Sequence, residues 1–206
     1  MSGAAVGILI SGAGSNMVAL VRAMQAGEVP ARPAIVVSSD PRAAGLAKAS
    51  ALGVPTAVVD HHASGGDRAA FDAAVNAKLH EAGAEIVACA GFMRIMTPVL
   101  IGAWAGRMLN IHPSLLPLFK GLDTHARALE AKAAIHGATV HEVTEELDSG
   151  AVLGQTVVRV LADDTAETLA ARVLKHEHLL YPLVLAAFIS DPEAVRKNPI
   201  TMAAEA

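Results

Sequence analysis

Two polar residues stand two positions apart in an apolar run, Leu109-Asn110-Ile111-His112-Pro113. On a strand, residues two apart share a face. Asn110 and His112 are therefore expected on one side, with Leu109 and Ile111 on the other. Pro113 has no N–H and ends the ladder. A polar pair at the carboxyl end of a parallel strand lies where open α/β sheets bind ligands. Asn can donate to a developing oxyanion, and His exchanges a proton near neutral pH. The same pair also fits a histidine that only caps a strand end. A third polar element is Thr144-Glu145-Glu146-Leu147-Asp148-Ser149-Gly150. Asp148 there would orient or charge-stabilise His112, or serve as an ordinary turn aspartate.

A second kind of chemistry is suggested by Ser11-Gly12-Ala13-Gly14-Ser15-Asn16, which follows an apolar run and opens an amphipathic segment. Glycines let a backbone approach a ligand closely, and the N–H groups of a helix start attract an anion. Ser15 and Asn16 add side-chain donors, and either could cap the helix. A phosphate is the expected guest. A tight βα turn with no ligand uses the same residues, and the loop alone does not choose between them. The dinucleotide fingerprint would need glycine where Met17 stands, and Asp40 alone is a weak acidic signal.

Other chemistry-bearing residues point to little. His61-His62 and His176-x-His178 invite a metal, but neighbouring histidines usually diverge and no cysteine or paired acid completes a set. No metal is expected. Glu145 and Glu146 would face opposite ways on an extended strand. Cys89 sits in an apolar run and reads as a small core residue. A single thiol makes no internal disulfide, which points to a reducing, cytoplasmic setting.

These residues need elements to position them. Buried strands are predicted over Val6–Ile10, Pro33–Ser38, Thr56–Val59, Glu85–Ala90 and Met108–His112. Helices are predicted over Ser15–Ala26, Arg42–Leu52, Asp67–Ala82 (capped by Asp67) and Thr165–Ile189. Pro182 marks a possible bend in the last of these. The runs Ala138–Glu145 and Gln155–Leu161 read as a strand pair, the added strand antiparallel. The expected class is α/β and Rossmann-like: a mostly parallel twisted sheet, helices on both faces, and an added antiparallel strand. Residues 1–190 are expected to form a single domain, and 191–206 a C-terminal tail of little pattern.

The composition agrees. The 206 residues are 53% hydrophobic and 17% charged, with a net charge of -4. Such a chain can bury enough surface to order itself, and it carries no basic stripe for nucleic acid. The apolar run Leu179–Ile189 is far shorter than the ~20 residues a membrane span needs. No signal peptide is apparent.

Taken jointly, several segments resemble the formyltransferase family. They are Ala90-Gly91-Phe92-Met93-Arg94-Ile95, Leu109 to Pro117, Gly121-Leu122-Asp123-Thr124-His125, His136-Gly137, Val140-His141 and Glu146-Leu147-Asp148. The likeness runs from Val6 to about Ile189. It implies transfer of a formyl group from 10-formyltetrahydrofolate, as co-substrate, to the amine of glycinamide ribonucleotide in purine biosynthesis. It implies a catalytic trio of Asn110, His112 and Asp148. Ribonucleotide-binding positions fall on Gly14, Ser15, Asn16, Leu174, Lys175, His176 and Glu177. Folate-binding positions fall on Arg68, Met93, Arg94, Ile95, Met96 and Asn110, and on Thr144, Glu145, Glu146, Leu147 and Asp148. Glu142 and Ser149 stand where relatives more often carry Phe and Gly. Partners are expected to be small molecules, with no nucleic acid or membrane, in a monomer or weak homodimer. A family member acting on aminoacyl-tRNA would need a further RNA-binding domain, and one hydrolysing the donor an extra amino-terminal domain. A non-catalytic nucleotide-binding module of Rossmann type is the alternative from another class, and the Asn-x-His-Pro segment speaks against it.

Overall fold

The computed structural model describes residues 3–203. They form two compact units that divide between Asn110 and Ile111. The first unit begins with β1 (Ala4–Ile10), α1 (Ser15–Gln25), β2 (Ala31–Ser38), α2 (Ala44–Ala51) and β3 (Thr56–Val58). It continues with α3 (Arg68–Glu81), β4 (Ile86–Cys89), α4 (Pro98–Ala103) and the start of β5 (Met108–His112). Its strands are ordered β3-β2-β1-β4-β5, and every pairing is parallel. Ile8, Leu9 and Ile10 of β1 are buried, as are Val36 and Val37 of β2. Unbroken apolar runs are what a strand buried on both faces requires.

The second unit contains α5 (Thr124–Glu130), β6 (Ile135–Glu142), β7 (Val152–Arg159), α6 (Ala166–Ser190), α7 (Pro192–Lys197) and β8 (Ile200–Ala203). Its strand order is β6-β7-β8. β6 and β7 are antiparallel, and β7 and β8 parallel. The chain is thus α/β and Rossmann-like, mostly parallel with one antiparallel pair. Helix α6 starts at a reciprocal cap: Thr165 Oγ1 accepts from Thr168 N–H, and Thr168 Oγ1 accepts from Thr165 N–H. The helix continues through Pro182. No helix among the described residues is long and apolar enough to cross a membrane.

Several expectations need correction. The segment after Asp191 is not patternless: it holds α7, capped by the Asp191 carboxylate on Ala194 N–H, and β8 on the edge of β7. Arg196 of α7 donates to Glu142 Oε1 at 2.8 Å and pairs with Glu193. That accounts for an acid at position 142. Strands β6 and β7 each begin three residues earlier than expected, and β6 ends at Glu142, so Glu145 and Glu146 lie in a loop. Finally, neither Ser15 nor Asn16 caps α1. Gly14 does, at φ +68°, with no side-chain hydrogen bond.

Candidate active site

In the first unit the strand order turns back on itself at β1, whose neighbours are β2 and β4. The loops leaving the carboxyl ends of β1 and β4 diverge there and open a crevice. A cavity of about 390 Å³ occupies it, lined by Ser11 to Asn16 from one loop and by Ala90, Gly91, Met93 and Arg94 from the other.

Close packing shapes the glycine loop. A Cβ on Gly14 would lie 2.9 Å from Gly45 Cα. The positive φ disfavours a side chain as well. Gly45 N–H donates to Gly12 O at 3.0 Å, and Lys48 Nζ donates to Ala13 O at 2.8 Å. With two of its carbonyls taken up this way, the loop ends in a helix start that no side chain caps. Such a start attracts an anion. Ser15 and Asn16 occupy the first two positions of α1.

Beyond β4, Met93, Arg94 and Ile95 are exposed and Met96 half-buried in a stretch without regular structure. Arg68 is the first residue of α3, exposed, directly after the Asp67 cap. Asn110 sits in β5 in register with Cys89. Cys89 is buried, and burial pushes its thiol up to about 12, so it stays a protonated core group.

The second unit holds a cluster of buried ionisable side chains. His112 ends β5 and is buried. Its Nδ1 lies 3.5 Å from Asp148 Oδ2, and its Nε2 lies 3.0 Å from the Phe119 carbonyl. Both ring nitrogens therefore face oxygen acceptors. The structure brings together the His112 and Asp148 that spacing alone could not. Asp148 is itself held in place: its Oδ2 accepts from Gly121 N–H at 2.8 Å, and its Oδ1 lies 3.7 Å from His141 Nε2. The Asp148 backbone is at φ +49°, a left-handed conformation that Asp tolerates better than most residues.

The loop carrying Asp148 is closed at its base, because a Cβ on Gly150 would overlap the Glu142 carbonyl oxygen. Thr144 to Leu147 are exposed at its tip. Lys120 reaches the loop from outside, donating to Ser149 Oγ and lying 3.7 Å from Glu146.

Sequence reasoning missed the groups that support the His112–Asp148 pair: the Phe119 carbonyl, the Gly121 N–H, Lys120 and His141. Two of them are backbone groups, which no side-chain pattern reveals. It also missed a histidine pair. His136 Nε2 and His125 Nδ1 are 3.1 Å apart, and the Phe119 ring meets His136 edge-on. Burial pushes His136 down to about 4, with His125 adding to the effect. His125 and His141 are also lowered, chiefly by burial.

The remaining expected positions, Leu174, Lys175, His176 and Glu177, lie on α6, where Glu177 is buried and Lys175 exposed. The expectation that His61 and His62 diverge is wrong: their ring centroids are 3.9 Å apart, and with Asp60 they form a compact trio. The His61 nitrogen that lies 4.0 Å from Asp60, Nδ1, is committed to the Ser39 carbonyl at 2.8 Å.

The family model described as formyl transferase matches residues 4–185. Phosphoribosylglycinamide formyltransferase of Escherichia coli (strain K12) is 41% identical over 191 residues, covering 93% of this chain and 90% of that protein. The trifunctional purine biosynthetic protein adenosine-3 of Gallus gallus is 44% identical over 180 residues. That match covers 87% of this chain but 18% of the relative, so the chain spans under a fifth of that protein. The crystal structure of phosphoribosylglycinamide formyltransferase from Brucella melitensis superposes with a TM-score of 0.86 at 49% identity. It covers 92% of this chain and 97% of that one.

Proposed function

Because the chain belongs to the formyl transferase family, we propose that it transfers the formyl group of 10-formyltetrahydrofolate to the amine of glycinamide ribonucleotide. The products would be formylglycinamide ribonucleotide and tetrahydrofolate, a step of purine biosynthesis. The observation that carries this reading is the buried His112–Asp148 pair at 3.5 Å, with Asn110 two positions earlier on the same strand.

In the proposed mechanism the ribonucleotide amine attacks the formyl carbon and forms a tetrahedral intermediate. Asn110 donates its amide N–H to the oxyanion, a contact typically worth about 3 kcal/mol of barrier. His112 serves as proton donor to the oxyanion or to the leaving nitrogen. Asp148 holds the imidazole in one orientation. As the C–N bond to the folate breaks, the proton lost by the amine ends on the leaving nitrogen, so charge and atoms balance. The start of α1, which no side chain caps, receives with Ser15 and Asn16 the phosphate, a part of the substrate that does not react, and supplies orientation. Residues Leu174 to Glu177 complete ribonucleotide binding.

The exposed apolar side chains Met93 and Ile95 suit a flat heteroaromatic ring. Arg68, Arg94, Met96 and the Thr144 to Asp148 loop are the further folate contacts in this reading. Both substrates are small molecules, and the protein works in the cytoplasm as a monomer or weak homodimer.

The test is formyl transfer with both substrates by the wild type and by His112→Ala. Product formation that the variant reduces by orders of magnitude supports the reading. Equal rates in both, or none in the wild type, refute it.

A further inference from the structure

We infer that Ser11 and Asp72 are positioning residues for the formyl donor, pinning the two ends of the Met93–Met96 segment. The inference rests on the reading of that segment as donor-binding. The segment bridges β4 and α4 without ladder or helix bonds of its own. Met93 and Ile95 expose more than half of their surface. An unsupported strap of this kind would sample many conformations, and ordering it on binding would cost affinity.

Its ends are instead fixed by two side chains distant in sequence. At the first end, Met93 N–H donates to Ser11 Oγ at 2.8 Å. Ser11 Oγ is in turn 2.7 Å from the Oγ of the buried Ser39, which leaves both hydroxyls little freedom. At the second end, Thr97 N–H donates to Asp72 Oδ2 at 2.5 Å. Just before the first end, Phe92 anchors the approach by stacking on Phe71, which precedes Asp72 on α3.

Asp72 is the more informative of the two. It is 1% exposed, and a buried carboxylate is costly unless its oxygens are satisfied. Here only one is: Asp72 Oδ1 and the neighbouring Thr97 Oγ1 have no hydrogen-bond partner among the described residues. Nor does the Thr97 side chain cap α4. What the carboxylate does accomplish is to fix one backbone N–H at the exit of the strap. A charge-assisted bond is the strong form of that contact.

The glycine loop and the strap therefore share an anchor in Ser11, while Asp72 serves the strap alone. This asymmetry predicts how the two substrates respond. Steady-state kinetics with 10-formyltetrahydrofolate and glycinamide ribonucleotide are measured for the wild type, Asp72→Ala, Asp72→Asn and Ser11→Ala. Asp72→Ala is expected to raise the donor KM about tenfold, with kcat and the ribonucleotide KM within threefold of wild type. Asp72→Asn keeps an oxygen for Thr97 N–H and sets an amide donor against Thr97 Oγ1. It is expected to restore the donor KM to within threefold. Ser11→Ala is expected to raise the donor KM more than the ribonucleotide KM, and decides the matter if Asp72→Ala does not fold.

Equal rises in both KM values would mark a general structural role and overturn the inference. So would an unchanged donor KM, or an Asn variant as impaired as the Ala variant. A wild type that transfers no formyl group would overturn the functional reading and this inference with it. An active wild type with unmoved variants would overturn this inference only.

Discussion

The histidine pair beneath the Phe119 turn makes the protein's acid stability predictable. His136 is 1% exposed, and its Nε2 lies 3.1 Å from His125 Nδ1. One of these nitrogens must donate and the other accept, so protonating both breaks the bond. In the native state His136 takes its proton only near pH 4, whereas an ordinary histidine takes it near 6.5. Between those values the unfolded chain binds more protons than the folded one, so stability falls as the pH falls. The native advantage is fully present above pH 6.5 and lost progressively down to about pH 4. At about 1.36 kcal/mol per proton and pH unit, the loss from this one group is on the order of 3 kcal/mol. His136→Gln keeps a polar group of similar size and removes the titration. Urea denaturation at several pH values from 7 to 4 measures the effect. Wild type should lose about 3 kcal/mol more than the variant across that range. Parallel stability profiles, with a difference independent of pH, would refute the reasoning. His141 and His178, also lowered by burial, are present in both proteins and cancel in the comparison.

Further outcomes are expected at the site and the loop. Asp148→Asn should lower kcat by about two to four orders of magnitude with circular dichroism unchanged, since proton transfer by a positioned group is worth that much; a rate within threefold of wild type would exclude the role. Ser15→Ala should raise the KM for the ribonucleotide roughly tenfold and leave that of the donor within about threefold, the scale of a lost bond to a charged group. Equal effects on the two substrates would argue against phosphate at α1. Gly14→Ala should destabilise the fold by at least about 2 kcal/mol in urea denaturation. It combines a left-handed conformation with a Cβ placed 2.9 Å from Gly45 Cα. A loss below 1 kcal/mol would show that the loop and α2 separate easily.

Much of this molecule is legible in its residues, and the exceptions share physical causes. The strand Met108–His112 was readable to the residue, because an apolar run with a polar alternate ends at a proline. The Asp67 cap was readable because a short acid before an amphipathic run has one good use, on Ala70 N–H. Helices α4, α5 and α7 were not foreseen. They span six or seven residues, too short for a helical repeat to declare itself. The α1 cap is not legible in the residues, because the deciding contact, Gly14 against Gly45, joins segments that no local rule connects. The same holds for the site. Asn110 and His112 announce themselves by spacing, but the approach of Asp148 to His112 depends on a turn at Phe119 to Gly121 that is built from backbone groups.

Because Glu142 and Gly150 close the neck of the Asp148 loop at backbone level, the exposed residues Thr144 to Leu147 form an exchangeable cassette. Side chains there can be swapped without loosening the base, and Asp148 keeps its own tether to Gly121. On the proposed function, donor contacts and proton transfer would thereby fall to separate parts of one loop. A laboratory search for altered donor use would begin at those four positions and leave 148 and 150 untouched.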